Sequence, residues 1–126
     1  MTKVLIIDDT RTVHNYVKMI CKGLSLEFIS VFNGEEALIL LDKQHDFDAI
    51  FLDWEMPVLD GPSTLKKLQD LGILIPTIMM TTKNSENDIL RMLELGAMEY
   101  MMKPFTVDIL KEKLEYVVGH EVCDVA

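Results

Sequence analysis

The chain has 126 residues, enough for one domain with a real core. Hydrophobic residues make up 49% and charged residues 26%, the balance of an ordinary globule and not of a disordered chain. A formal net charge of -9, with no run of lysine or arginine, argues against non-specific binding to nucleic acid or to anionic lipid.

Apolar blocks alternate with blocks of helical period. Residues 3–8 predict a buried strand, after which Val13, Val17, Ile20, Cys21 and Leu24 recur at helical spacing. Leu26 to Val31 predicts a second strand. Asn33, with Glu36 three residues on, has the form of a capping box and opens a helix carrying Ala37, Leu38 and Leu41. Residues 48–53 predict the third strand, and Asp60-Gly61 a turn. Gly61-Pro62 starts the third helix, with Leu65, Leu68 and Leu71 as its stripe and Gly72 as its stop. Pro76 to Thr81 predicts the fourth strand, and Ser85 caps a helix that shows Ile89, Met92 and Leu93. Ala97 to Met102 predicts the fifth strand. Thr106 caps the last helix, whose buried side would carry Ile109, Leu110, Leu114, Val117 and Val118.

Five strands alternating with five helices over short connections predict a doubly wound α/β domain, a five-stranded parallel sheet with helices on both faces. The strands lack polar alternation, as expected when both faces are covered. The predicted domain spans residues 1–120, and residues 121–126 read as a short tail. Cys21 falls on an apolar stripe and Cys123 in the tail, with no metal or disulfide spacing. His14, His45 and His120 are scattered and read as surface residues. No stretch is long enough to span a bilayer and no leader pattern is seen, so the expected compartment is the cytoplasm.

The chemistry lies at the strand ends. Val4-Leu5-Ile6-Ile7 runs into Asp8-Asp9, Ala49-Ile50-Phe51-Leu52 into Asp53, and Met101-Met102 into Lys103. In an open parallel sheet these ends converge on the edge where ligands bind. Two like charges at about 4 Å cost roughly 4 kcal/mol at an effective dielectric near 20, so a cluster of acids there points to a cation or to chemistry. Asp8, Asp9 and Asp53 offer hard oxygen ligands of the kind magnesium takes beside phosphate oxygens. Lys103 and the Thr81 hydroxyl suit the oxygens of a transferring phosphoryl group, and an aspartate can act as its nucleophile.

Asp8-Asp9, Asp53 with Trp54-Glu55-Met56-Pro57 and Asp60-Gly61, Thr81, and Lys103-Pro104-Phe105 together resemble the receiver domain of two-component response regulators. The likeness runs from residue 3 to about 118, and from Gly96 to Leu114 it is similar to single-domain chemotaxis regulators of the CheY kind. The resemblance implies sheet order 2-1-3-4-5. It implies that Asp53 accepts phosphate from a sensor histidine kinase. It implies Mg2+ held by Asp9 and Asp53, by Asp8 through water and by the Glu55 backbone carbonyl. Thr81 and Lys103 would hold the phosphoryl oxygens, and Lys103-Pro104 would be cis. Tyr100 would be the aromatic switch for a face built from the fourth helix, fifth strand and fifth helix. Thr82, Glu55 and Lys83 would tune the lifetime of the phosphorylated state. The implied partners are that kinase and a downstream protein, such as a flagellar motor component or another signalling protein, without nucleic acid or membrane insertion.

Plainer readings compete. Asp8-Asp9 could simply cap the first helix, and Thr81, Lys103 and Tyr100 taken singly are an ordinary strand residue, a surface lysine and a strand aromatic. Magnesium-dependent phosphatases with an aspartyl nucleophile resemble a pattern with a second aspartate two residues on, where this chain has Glu55 and not aspartate. A flavin or nucleotide binder would need a glycine-rich loop after the first strand, where this chain has acids. The expectation is therefore a signalling switch, autocatalytic only at its own aspartate. A phosphorelay intermediate, or a receiver cut from a larger regulator, is the alternative.

Overall fold

Runs such as Val4–Ile7, Ala49–Leu52 and Ile78–Met80 have no polar side to turn to water, so they fold only where both faces are covered. In a computed structural model, which describes residues 1–122, they form the centre of one sheet. The elements are β1 (Thr2–Ile7), α1 (Arg11–Ile20), β2 (Leu26–Val31), α2 (Gly34–Lys43), β3 (Ala49–Asp53), α3 (Gly61–Asp70), β4 (Thr77–Thr81), α4 (Glu86–Glu94), β5 (Glu99–Met102) and α5 (Val107–Val118). All strands pair in parallel, in the order β2-β1-β3-β4-β5.

Alternation along the strands divides the core in two. Val4, Ile6, Phe51, Ile78, Met80 and Met101 pack with Val17 of α1 and Leu110 and Leu114 of α5. Leu5, Ile7, Ile50, Leu52 and Met79 pack with Ala37 and Leu41 of α2, Leu65 and Leu68 of α3, and Met92 of α4. The chain runs outward from β1 to β2 and then crosses back to β3. That reversal opens a crevice at the carboxyl ends of β1 and β3, the place where such folds bind ligands.

Each helix starts on a side-chain oxygen. Thr10, Asn33, Asp60, Ser85 and Thr106 accept the N–H three residues on. The first is Thr10 and not Asp8 or Asp9, which leaves both acids free of the capping role. Asp60 does more than make a turn, since its carboxylate caps α3. The Phe32 N–H in turn donates to Glu36 Oε1 at 2.7 Å.

Some expected core positions point outward. Leu71 is 64% exposed because α3 has ended at Asp70, and Leu93 and Ile109 are exposed on α4 and α5. His14, expected at the surface, is 2% exposed. The helical stripe Val13-Val17-Ile20 is wide enough to include it. Cys21 is buried, and burial pushes its thiol up to about 11. Val122 is packed into the α1–α5 side of the core, and its N–H is bonded to Glu115 Oε2 at 2.7 Å. Cys123 lies outside the described residues.

Val58, in the loop after β3, has φ 70 and is 75% exposed. A β-branched residue in the left-handed region crowds its own backbone, at about 1–2 kcal/mol. Asparagine tolerates that conformation, and no buried surface is lost. Val58→Asn is therefore expected to raise stability by about 1 kcal/mol. Urea unfolding checks this, with a higher midpoint at unchanged slope as the expected result and a lower midpoint as the contrary one.

Candidate functional site

The register of the sheet brings the acids together. Ile7 of β1 lies beside Leu52 of β3, so the residues that follow, Asp8 and Asp53, are neighbours at the crevice. Lys103 arrives from the other side: its N–H bonds to the Thr81 carbonyl at 2.8 Å, prolonging the β4–β5 pairing by a step. From there its Nζ donates to Asp8 Oδ2 and to Asp53 Oδ1, each at 2.9 Å. The Lys103–Pro104 peptide is cis.

The site is built into the backbone around it. Asp8 Oδ1 accepts from both the N–H and the hydroxyl of Thr10 at 2.9 Å. Gly61 presses against the turn after Asp53, its N–H on the Trp54 carbonyl at 2.9 Å. A Cβ at Gly61 would lie 2.4 Å from the Asp53 carbonyl oxygen, so no other residue fits without moving the acid. Trp54 is buried under the cleft, with the Arg91 guanidinium 6.0 Å from its ring.

Asp8 and Asp53 are buried and Asp9 is exposed, yet one carboxylate oxygen from each lies within 4.8 Å of the others. Burial pushes the Asp53 carboxyl up to about 6; the Lys103 hydrogen bond opposes this, and the charges of Asp8 and Asp9 add to it. Burial also works against the Lys103 ammonium, but its bonds to Asp53 and Asp8 outweigh it and hold its pKa above the usual lysine value. Burial outweighs the one ammonium at Asp53, which shares it with Asp8, whereas at Lys103 two carboxylates outweigh burial.

Three carboxylates and one ammonium leave two net negative charges, which a divalent cation neutralises. The donors are hard oxygens, and next to them is a cleft of about 140 Å³ lined by Asp53, Trp54, Glu55, Thr81, Thr82 and Lys103. A small, hard cation such as magnesium fits that donor set. Thr81 is buried, with its Oγ1 accepting the Lys83 N–H at 2.8 Å. At the cleft mouth, Lys83 Nζ and Glu55 Oε1 form an ion pair at 3.2 Å. Farther out, half-buried Tyr100 has the Lys113 ammonium 5.2 Å from its ring, and Lys113 also pairs with Glu99 at 3.2 Å.

Sequence reasoning missed two residues here. Arg91 over Trp54 left no signal in the spacing. His14 Nε2 bonds to the Asp8 backbone carbonyl at 2.8 Å. Its signal was available, since His14, Val17 and Cys21 follow helical spacing on one stripe.

A doubly wound sheet with an acidic, lysine-bridged crevice at its switch point is the architecture of a receiver. The chain belongs to the response regulator receiver domain family, which matches residues 4–115. It is 35% identical over 120 residues to the chemotaxis protein CheY1 of Helicobacter pylori, covering 93% of this chain and 97% of that one. Its fold is similar to the receiver domain of the Francisella response regulator 1452, with TM-score 0.88, 31% identity and coverage of 94% and 98%. It is also similar to the receiver domain of the Pseudomonas aeruginosa sensor histidine kinase PA1611, solved with a magnesium ion in its active site cleft (TM-score 0.83, 26% identity, coverage of 94% and 98%). The chain is thus a CheY-like receiver of two-component signalling, a class of signalling proteins and not of metabolic enzymes. Among the described residues, no helix is long and apolar enough to cross a membrane.

Proposed function

We propose that the chain is a phosphorylation-controlled switch whose acceptor is Asp53. One observation carries the reading: a single ammonium, that of Lys103, sits 2.9 Å from both Asp8 and Asp53 at the switch point of the sheet. In the proposed step, an Asp53 oxygen attacks the phosphorus of a kinase phosphohistidine. The P–O bond forms as the P–N bond breaks, and the imidazole nitrogen leaves with the electron pair. Lys103 holds charge on the transferred group, and the Thr81 hydroxyl supplies a further donor. Asp9, Asp53 and the Glu55 carbonyl would hold Mg2+, with Asp8 acting through water. When bound, the ion supplies charge neutralisation among oxygens that otherwise repel.

The output we propose follows from Thr81 and Tyr100. A phosphoryl group on Asp53 draws the Thr81 hydroxyl from the Lys83 N–H, and Tyr100 follows. The face of α4, β5 and α5, where Tyr100, Ile109 and Lys113 line a cavity of about 380 Å³, then meets a downstream protein. Likeness to chemotaxis proteins supports a motility output, such as a flagellar motor component or another signalling protein. Likeness to a receiver from a sensor kinase supports a second reading, a phosphorelay intermediate.

The test is labelling with acetyl phosphate with and without Mg2+, followed by peptide mapping. Label on the Asp53 peptide, dependent on the ion, is expected; label elsewhere overturns the assignment. The Lys83–Glu55 pair gives a second check. Spanning the mouth of the cleft, it obstructs the water that would attack the phosphoaspartate. An ion pair this exposed is worth at most about 1 kcal/mol, so Lys83→Ala should lose phosphate about two- to fivefold faster. An unchanged decay rate would refute the shielding role.

A further inference from the structure

We propose that His14 is a positioning residue for the acidic cleft: its ring fixes the peptide group that joins Asp8 to Asp9, and so aims the carboxylates on either side of it. The inference rests on the reading of the cleft as a cation and phosphoryl site.

The Asp8 backbone has little freedom left except at its carbonyl. Its N–H bonds to the Val31 carbonyl at 3.2 Å. Its side chain is held by Thr10 and Lys103. The residue is 0% exposed, so no bulk water reaches the carbonyl oxygen, and β1 has ended one residue earlier. The partner that oxygen has is His14 Nε2 at 2.8 Å. A carbonyl only accepts, so the ring carries a proton on Nε2.

The ring is itself held. His14 is 2% exposed, one turn before the core residue Val17, and its centroid lies 4.5 Å from that of Phe32 at a 49° tilt. Its Nδ1 is buried with no partner among the described residues, where the ring is bonded through Nε2 alone. A buried polar side chain with one bond, aimed at the backbone of an acidic cleft, is a costly choice for packing alone. Asp9 shows why the aim matters. It is exposed, and among the described residues its carboxylate has no side-chain hydrogen bond or ion pair. Only the backbone directs it toward Asp8 and Asp53, and that backbone begins at the peptide His14 holds.

The test compares the full chain with His14→Leu, which removes the donor but keeps apolar volume, and His14→Gln, whose amide N–H has a similar reach. Magnesium chloride alone is titrated by calorimetry at pH 7.5, with melting curves recorded beside it. The Kd for Mg2+ is expected to rise about tenfold in His14→Leu and to stay within about twofold of wild type in His14→Gln. A purely structural role would not be rescued by the amide. Nitrogen NMR of the wild-type ring supplies an independent reading, with the proton expected on Nε2. Equal affinity in all three proteins, His14→Gln as weak as His14→Leu, or a proton on Nδ1 alone overturns the proposal. If His14→Leu does not fold, His14→Gln and the spectrum decide. Wild-type protein that binds no magnesium overturns the functional reading and this inference together; normal wild-type binding with any of the contrary results overturns this inference alone.

Discussion

Asp53→Asn protein is expected to take no label from acetyl phosphate, while Asp8 and Asp9 remain in place beside the substitution. The reason lies in how the oxygens are occupied. Both Asp8 oxygens are committed, Oδ1 to Thr10 and Oδ2 to Lys103, and the residue does not line the cleft. Asp53 gives Oδ1 to Lys103 and keeps its second oxygen, and it does line the cleft. An amide at that position is a poor nucleophile and cannot form the mixed anhydride. Mass spectrometry after exposure to acetyl phosphate and Mg2+ reads the result directly. Persistent labelling of the substituted chain at Asp8 or Asp9 would show that the acceptor has been misassigned.

The same substitution is expected to make the metal-free protein more stable near neutral pH. Burial raises the folded-state pKa of Asp53 to about 6, from an ordinary 3.8. A group whose folded pKa is raised favours folding while it is protonated. Between about pH 4 and pH 6 the native chain therefore holds this proton more tightly than the unfolded chain, and wild-type stability falls as pH rises through that window. Above it the cost is complete, at most roughly 3 kcal/mol from 1.36 kcal/mol per pKa unit. Asparagine avoids the buried charge, and its amide oxygen can still accept from Lys103. A gain of about 2 kcal/mol is expected at pH 7.5, or some 5–8 °C for a chain of this size. Calorimetry in chelator at pH 7.5 and pH 4 tests both sign and window. The gap should close at the lower pH, and Mg2+ should raise the melting temperature of wild type only. A lower melting point for the variant, or a gap independent of pH, would contradict the charge argument.

Why so much of this was legible in the sequence is visible in single residues. β1, β3 and β4 are runs with no polar face, and such runs admit little but a covered parallel sheet. Asn33, Ser85 and Thr106 read as caps because their oxygens precede apolar helical spacing, and each accepts the N–H three residues on. Asp8, Asp53 and Lys103 stood out because a charge at the end of an apolar strand needs a partner. What was not legible depends on neighbours that spacing does not specify. Leu71, Leu93 and Ile109 have core-like periodicity, but periodicity does not say where the covering layer stops. His14 reads as a surface residue because the three histidines are scattered without ligand spacing, although its position lies on an apolar stripe. Its partner is a backbone oxygen, which leaves no mark in side-chain patterns.

The seat of Val122 has a practical bearing. Together with Met1, Thr2, Ser25 and Asp48 it rims a hollow of about 320 Å³ where β1, β2 and β3 begin. Met1, 81% exposed on that rim, is a full strand length from the acids. A chip or bead tethered through the amino terminus would leave the Asp8, Asp53 and Lys103 end of the sheet facing the bulk. Capture assays with kinase or target could then be run on immobilised protein without masking the surface they are meant to probe.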